Sequence, residues 1–236
     1  MIAAILAGGL GTRLRSVVSD VPKPIAPING KPFLLYLMEY WRGQGISAFL
    51  LSVGYKSEQI VDLVGDSFQG APVEYVIEEE PLGTGGAVAE LVARSKSTMI
   101  LLNGDTFFPV PLDDLLHFHI SSGSDFTFSL FTSAETNRYM GVNVDDSGKL
   151  SIGEEPGSEP EDFSVNGGVY CIEPKILQRV TKFMQPPFAL ESELLPMLEA
   201  DGGRLYGKMY DKPFIDIGVP DDYLRAYEIL KDKVNG

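Results

Sequence analysis

Apolar residues fall into short unbroken runs that alternate with stretches of helical spacing. Ile2 to Leu6 has the length and bounds of a buried strand. Pro32 to Gly43 puts Phe33, Leu34, Leu37, Met38 and Trp41 on one helical face, closed by Gly43 and Gly45. Ala48 to Val53 reads as a buried strand, Ser57 to Leu63 as a short helix and Val73 to Ile77 as a strand. Ala87 to Ala93 is helical, Thr98 to Asn103 is an apolar strand ending at Gly104-Asp105, and Leu112 to Ile120 is helical again. Alternation at this spacing predicts parallel strands joined by crossover helices.

Past about residue 125 the pattern changes. Phe126 to Phe131, Val142 to Val144, Lys149 to Ile152 and Val169 to Ile172 read as strands with few helices between them. No linker of Pro, Gly and Ser separates the halves. The expectation is one domain, 1–236, with an added, partly antiparallel section after about residue 125. The acidic run 145–162, opposed only by Lys149, reads as a solvated loop. Pro220, Asp221 and Asp222 open a closing helix that ends near Lys231 and Lys233, charges that suit its dipole.

Composition narrows the function. Apolar content of 44% and charged content of 22% are ordinary for a globular protein with a sizeable core. No run approaches the roughly 18 apolar residues of a membrane span, and no basic leader opens the chain. Cys171 sits in an apolar run and reads as a small core residue. A cytoplasmic protein is expected. Lys plus Arg number 19 against 33 Asp plus Glu, a net charge of −14, which argues against nucleic-acid and anionic-membrane partners. Residues 1–31 run the other way, with Arg13, Arg15, Lys23 and Lys31 against Asp20 alone. Such a local excess suits an anionic small molecule.

That excess surrounds a glycine loop. After the first strand come Leu6-Ala7-Gly8-Gly9-Leu10-Gly11-Thr12-Arg13-Leu14 and then Pro22-Lys23-Pro24. Glycines let the backbone turn tightly and bring its N–H groups close to a ligand, forming a concavity suited to phosphate oxygens. Arg13 and Lys23 add charge for a polyphosphate. Two better-known loops fail: the dinucleotide fingerprint started at Gly9 meets Leu14 in place of its third glycine, and Gly30-Lys31 is followed by Pro32 rather than the Ser or Thr of a P-loop.

Three more segments carry candidate chemistry. Pro81-Leu82-Gly83-Thr84-Gly85-Gly86-Ala87 is a turn and helix start, or a backbone wall against a nucleobase. Asp105 sits at the carboxyl end of a central strand, where open α/β sheets place ligands, and a carboxylate beside phosphates suits Mg²⁺. Asp216 lies between Ile215 and Ile217, and an unpaired buried carboxylate is costly, so a metal partner is the expectation. His117 and His119, two apart, fall on different helix faces and make no zinc pair.

The opening motif with Pro22-Lys23-Pro24 resembles the signature of the sugar nucleotidyltransferases, L-A-G-G-x-G-T-R-L with P-K-P. Residues 81–87 resemble that family's P-L-G-T-A-G-A segment, and Asp216-Ile-Gly-Val-Pro-Asp-Asp-Tyr223 its D-I-G-T-P-E-D-Y, with Val219 in place of Thr. The likeness covers nearly the whole chain. It implies a Rossmann-like α/β fold, an open mixed, mostly parallel sheet flanked by helices. A nucleotide-binding half would extend to about residue 125 and a sugar-binding half over 126–236. It implies Mg²⁺ on Asp105 and Asp216, with Arg13 and Lys23 stabilising the leaving and reacting phosphates. Leu6, Ala7, Gly8, Gly9, Gly11, Thr12, Pro81, Gly83, Thr84 and Gly104 would hold the nucleotide. Gly141 and Asn166 would grip the sugar, with Glu154 accepting a hydroxyl. Glu155 departs from the family, which carries a phosphate-binding lysine there. The reaction implied is attack of a sugar 1-phosphate on a nucleoside triphosphate, releasing pyrophosphate. The segments look most like the branch that guanylylates D-glycero-α-D-manno-heptose 1-phosphate. The mannose 1-phosphate guanylyl and N-acetylmuramate 1-phosphate uridylyl branches are rivals, and an idle sugar-nucleotide sensor is the reading from another class. GTP selection is assigned to Glu78 or Glu80, because one carboxylate can accept both N1–H and N2–H₂ of guanine. The sequence leaves the oligomeric state open, a homo-oligomer among the options.

Overall fold

The computed structural model describes residues 1–9, 21–133, 141–151, 163–218 and 220–231. The order is β1 (Ile2–Ala7), a 3-10 turn at Lys23–Ile25, β2 (Pro27–Ile28), β3 (Lys31–Pro32), α1 (Phe33–Gly43), β4 (Ala48–Val53), α2 (Ser57–Val64), β5 (Ser67–Phe68) and β6 (Ala71–Ile77). Next come α3 (Gly83–Ala93), β7 (Met99–Asn103), β8 (Thr106–Phe107), α4 (Leu112–Ser121), β9 (Phe126–Ser133), β10 (Asn143–Val144), β11 (Leu150–Ser151) and β12 (Phe163–Ile172). The chain continues with α5 (Pro174–Thr181), a π-helical turn at Leu190–Leu194, α6 (Leu195–Ala200), β13 (Leu205–Met209), β14 (Ile215–Asp216) and α7 (Pro220–Ile229). The result is a mixed, mostly parallel sheet flanked by helices.

Two compact units divide the chain. The first comprises Met1–Pro81, Leu102–Pro109 and Pro213–Gly236, and the second Leu82–Leu101 and Val110–Lys212, so β7 contributes to both. In the first unit the strands run β7-β1-β4-β6-β5. β1, β4 and β6 are parallel and in register, Ala7 beside Val53 and Val53 beside Ile77. Ala3, Ala4, Ile5 and Leu51 are fully buried, as expected of parallel strands covered on both faces. Helix α1 contributes Phe33, Tyr36, Leu37 and Trp41 to this core.

In the second unit the order is β13-β9-β12-β7. β12 is antiparallel to β9 and β13 parallel to it. Phe126, Phe128 and Tyr170 pack with ring centroids 4.9 to 5.2 Å apart. Cys171, the next residue along β12, is buried as a core residue. No helix among the described residues is long and apolar enough to cross a membrane.

Some elements differ from the sequence pattern. β12 begins at Phe163 instead of Val169, because its ladder runs through Asn166-Gly167-Gly168 with a register irregularity between Asn166 and Tyr170. Helix α3 starts at Gly83, so the second glycine segment is itself the helix's first turn. The acidic run starts as the turn of a β10-β11 hairpin, held by Asp145, which accepts the Ser147 and Lys149 N–H groups at 2.8 and 3.0 Å.

Candidate active site

Three parallel strands of the first unit end side by side, and the residue after each is polar or a glycine: Gly8 after β1, Gly54 after β4, Glu78 after β6. Their spacing leaves no room for side chains. A Cβ on Gly8 would lie 2.3 Å from Glu78 Oε1, and one on Gly54 would lie 2.9 Å from the Gly8 carbonyl. Gly9, by contrast, has nothing among the described residues within 4 Å of where its Cβ would stand. Leu6 accepts the Gly104 N–H at 2.9 Å, which fixes the Asn103-Gly104-Asp105 turn on the end of β1. Of the three glutamates after β6, Glu78 is half-buried and turned toward Gly8, while Glu79 and Glu80 are exposed. Gly11, Thr12 and Arg13 lie outside the described residues.

Lys23, Asp105 and Asp216 come together in the same unit. Pro22 and Pro24 restrict the backbone around Lys23, and the 3-10 turn buries Pro24 and Ile25 beneath it. Lys23 Nζ is paired with Asp105 Oδ2 and lies 3.5 Å from Asp216 Oδ1. β14 pairs antiparallel with β8, Asp216 opposite Thr106, and the Ile217 N–H donates to the Asp105 carbonyl at 3.0 Å. Asp216 is therefore neither unpaired nor deeply buried. Its side chain is 22% exposed, bound by Lys23 and by the Gly218 N–H at 2.7 Å, so the premise that it is unpaired and buried is corrected. Gly218 leaves room for this pairing: a Cβ there would stand 2.1 Å from Lys23 Nζ. Two carboxylates drawn to one cation are hard oxygen donors of the kind Mg²⁺ takes alongside phosphate and water. Among the described residues no group of three or more His, Cys, Asp or Glu forms a metal cage.

The other candidates, Pro81 excepted, lie in the second unit. At Pro81-to-Gly86 the glycines have a packing reason. Gly83 (φ +74°) and Gly85 abut Phe188 and Ala189, where a Cβ would come within 2.4 and 2.5 Å. The Phe188 carbonyl accepts the N–H groups of Gly85 and Gly86, and Thr84 Oγ1 accepts that of Leu190 at 2.9 Å. Gly141 bridges to Val165 beside Asn166. The Asn166 amide donates to Tyr170 Oη at 2.7 Å, and its carbonyl accepts the Gly168 N–H at 3.0 Å. Glu154 lies outside the described residues. His119 is buried and His117 exposed, the split expected from their spacing.

Ser52 and Gly218 were not singled out by sequence reasoning. A lone hydroxyl in the apolar run of β4, and a glycine two residues after Asp216, were the available signals.

A nucleotidyl transferase family model matches residues 2–233. A D-glycero-alpha-D-manno-heptose 1-phosphate guanylyltransferase from Aneurinibacillus thermoaerophilus is 41% identical over 98% of this chain and 99% of its own. One from Campylobacter jejuni is 40% identical over 94% and 97%. The crystal structure of HddC from Yersinia pseudotuberculosis complexed with GMP-PN is 34% identical, with a TM-score of 0.83 over 97% of this chain and 99% of that one. With the family match running nearly end to end, the chain belongs to the nucleotidyl transferase family.

Proposed function

We propose that the chain transfers GMP from GTP to D-glycero-α-D-manno-heptose 1-phosphate, releasing pyrophosphate and forming a GDP-sugar. The supporting observation is the cluster of Lys23 with Asp105 and Asp216 beside the strand ends that carry Gly8 and Gly9. The guanylyltransferase relatives at 40 and 41% identity supply the substrates. A phosphate oxygen of the sugar attacks the α-phosphorus in line as the bond to pyrophosphate breaks, and positioning and charge stabilisation supply most of the catalysis. Lys23 neutralises the reacting phosphates and Arg13 the departing pyrophosphate. Asp105 and Asp216 hold Mg²⁺, whose chemistry when bound is to neutralise phosphate charge. The backbone of residues 6–12 and Gly104 cradles the triphosphate, Gly9 giving it room. Pro81, Gly83 and Thr84 border the base, and Glu78, rather than the exposed Glu80, accepts guanine N1–H and N2–H₂. Gly141, Asn166 and Glu154 contact the sugar. A cytoplasmic setting belongs to the same proposal.

The test is pyrophosphate release across a matrix of GTP, ATP, UTP and dTTP against heptose, mannose and N-acetylmuramate 1-phosphates. The highest kcat/KM is expected for GTP with the heptose. A maximum at another sugar would move the chain to a sister activity, and no release with any pair would leave the sensor reading.

A further inference from the structure

The geometry points to Ser52 as a positioning residue for base choice: its buried hydroxyl fixes the Glu78 carboxylate in the pose that selects guanine. The inference rests on the guanylyl reading above and adds a residue to it. Ser52 is fully buried near the end of β4, the one hydroxyl in Ala-Phe-Leu-Leu-Ser-Val. A buried hydroxyl is costly without a partner, and this one donates to Glu78 Oε1 at 2.8 Å. The same strand holds Glu78 by its backbone, since the Glu78 N–H donates to the Val53 carbonyl at 2.8 Å. The same oxygen lies against the bare Cα of Gly8, on the strand beyond β4. Glu78 thus reaches across β4, its Oε1 bound by a hydroxyl of that strand and fitted against a glycine at the end of the strand beyond.

That confinement matters because discrimination depends on a fixed carboxylate. Guanine offers two adjacent donors that both carboxylate oxygens can accept, adenine offers no such pair, and uracil sets a carbonyl on each side of its single N–H. A glutamate free to swing could turn to water whenever the wrong base arrived, which would spare that base the repulsion. Held by Ser52, it cannot retreat, so the mismatch is felt in full. The side chain is also ordered during folding rather than at binding.

The experiment compares wild type, Ser52→Ala and Ser52→Thr for kcat and KM with GTP, ATP and UTP, alongside thermal unfolding. Ser52→Ala is expected to lose about tenfold of the GTP:ATP preference, as a lower KM for ATP together with a higher KM for GTP. Ser52→Thr, which keeps the hydroxyl, is expected to retain the preference. In a Glu78→Gln background Ser52→Ala should cause little further loss, because the two act as a unit. If wild type prefers GTP and Ser52→Ala leaves the ratio intact, or lowers all three nucleotides equally, the inference is overturned. Should Ser52→Ala not fold, the same ratio read from Ser52→Cys, which keeps the shape with a weaker donor, decides in the same way. A wild type without GTP preference would instead overturn the guanylyl reading.

Discussion

Lys23 pairs with Asp105 and Asp216 with its ammonium against the bare Cα of Gly218. Gly218→Ala would place a methyl 2.1 Å from Nζ, so the ammonium must move. Misplacement on that scale costs about 10²-fold in rate, and kcat should fall accordingly while thermal unfolding shifts by only a few degrees. Asp216→Asn should abolish most turnover, as should EDTA on the unaltered protein, in a pyrophosphate-release assay. A fully active Asp216→Asn enzyme would remove that residue from the reaction. Arg13→Ala should lower kcat more than it raises KM, since charge on pyrophosphate grows only as it departs. At this scale the sequence disclosed which residue types to look for: glycines, a lysine between prolines, two remote aspartates. What it hid was mutual packing. The partners of Asp216, and the reason Gly8 is a glycine, depend on Lys23 and Glu78, far away along the chain.

Among the elements, α7 shows how a late helix supports an early loop. The Tyr223 and Tyr227 hydroxyls both donate to the Pro27 carbonyl, at 2.6 and 3.1 Å, and Asn29 Nδ2 donates to the Tyr227 carbonyl at 2.8 Å. Burial, with the neighbouring Tyr227 hydroxyl, pushes the Tyr223 phenol far above its ordinary value. Tyr223→Phe should therefore cost about 1 kcal/mol of stability in denaturant unfolding, because Tyr227 still serves Pro27. Replacing both tyrosines with Phe should cost more than twice as much, since the carbonyl then loses both donors. Strands with strong apolar runs were legible almost to the residue, Ala48–Val53 among them. Helix α5 escaped notice because it is short and mostly polar outside Leu177 and Val180, and β12 because two glycines interrupt its pattern. The glycines of residues 83–86 looked like a ligand loop and also turn out to make room for Phe188.

On the scale of the whole molecule, acid should weaken the second unit in two steps. Burial pushes His119 below its ordinary 6.5, with Glu173 pulling the other way. For Asp125 burial acts upward, but the hydrogen bonds from Arg204 prevail and hold the carboxyl below 3.8. Each group binds fewer protons folded than unfolded, so stability rises with pH in each window. The His119 contribution is complete above 6.5 and lost as pH falls from there through its lower folded value. The Asp125 contribution goes the same way below 3.8. Urea midpoints of the full chain should drop between pH 7 and pH 5.5, and His119→Gln should flatten that slope. A slope unchanged by His119→Gln would assign it to other groups.

The first unit is built from three separated stretches, with residues 110–212 inserted before its last one. Lys23 and Asp216 are 193 residues apart. At a synthesis rate of roughly 5–20 residues per second, the lysine leaves the ribosome on the order of 10 to 40 seconds before its second carboxylate. In that interval β1, β4 and β6 can already align, yet the three-charge cluster has no way to form. The order of translation thus keeps a nascent chain from completing that cluster until the segment beyond residue 213 has emerged and docked.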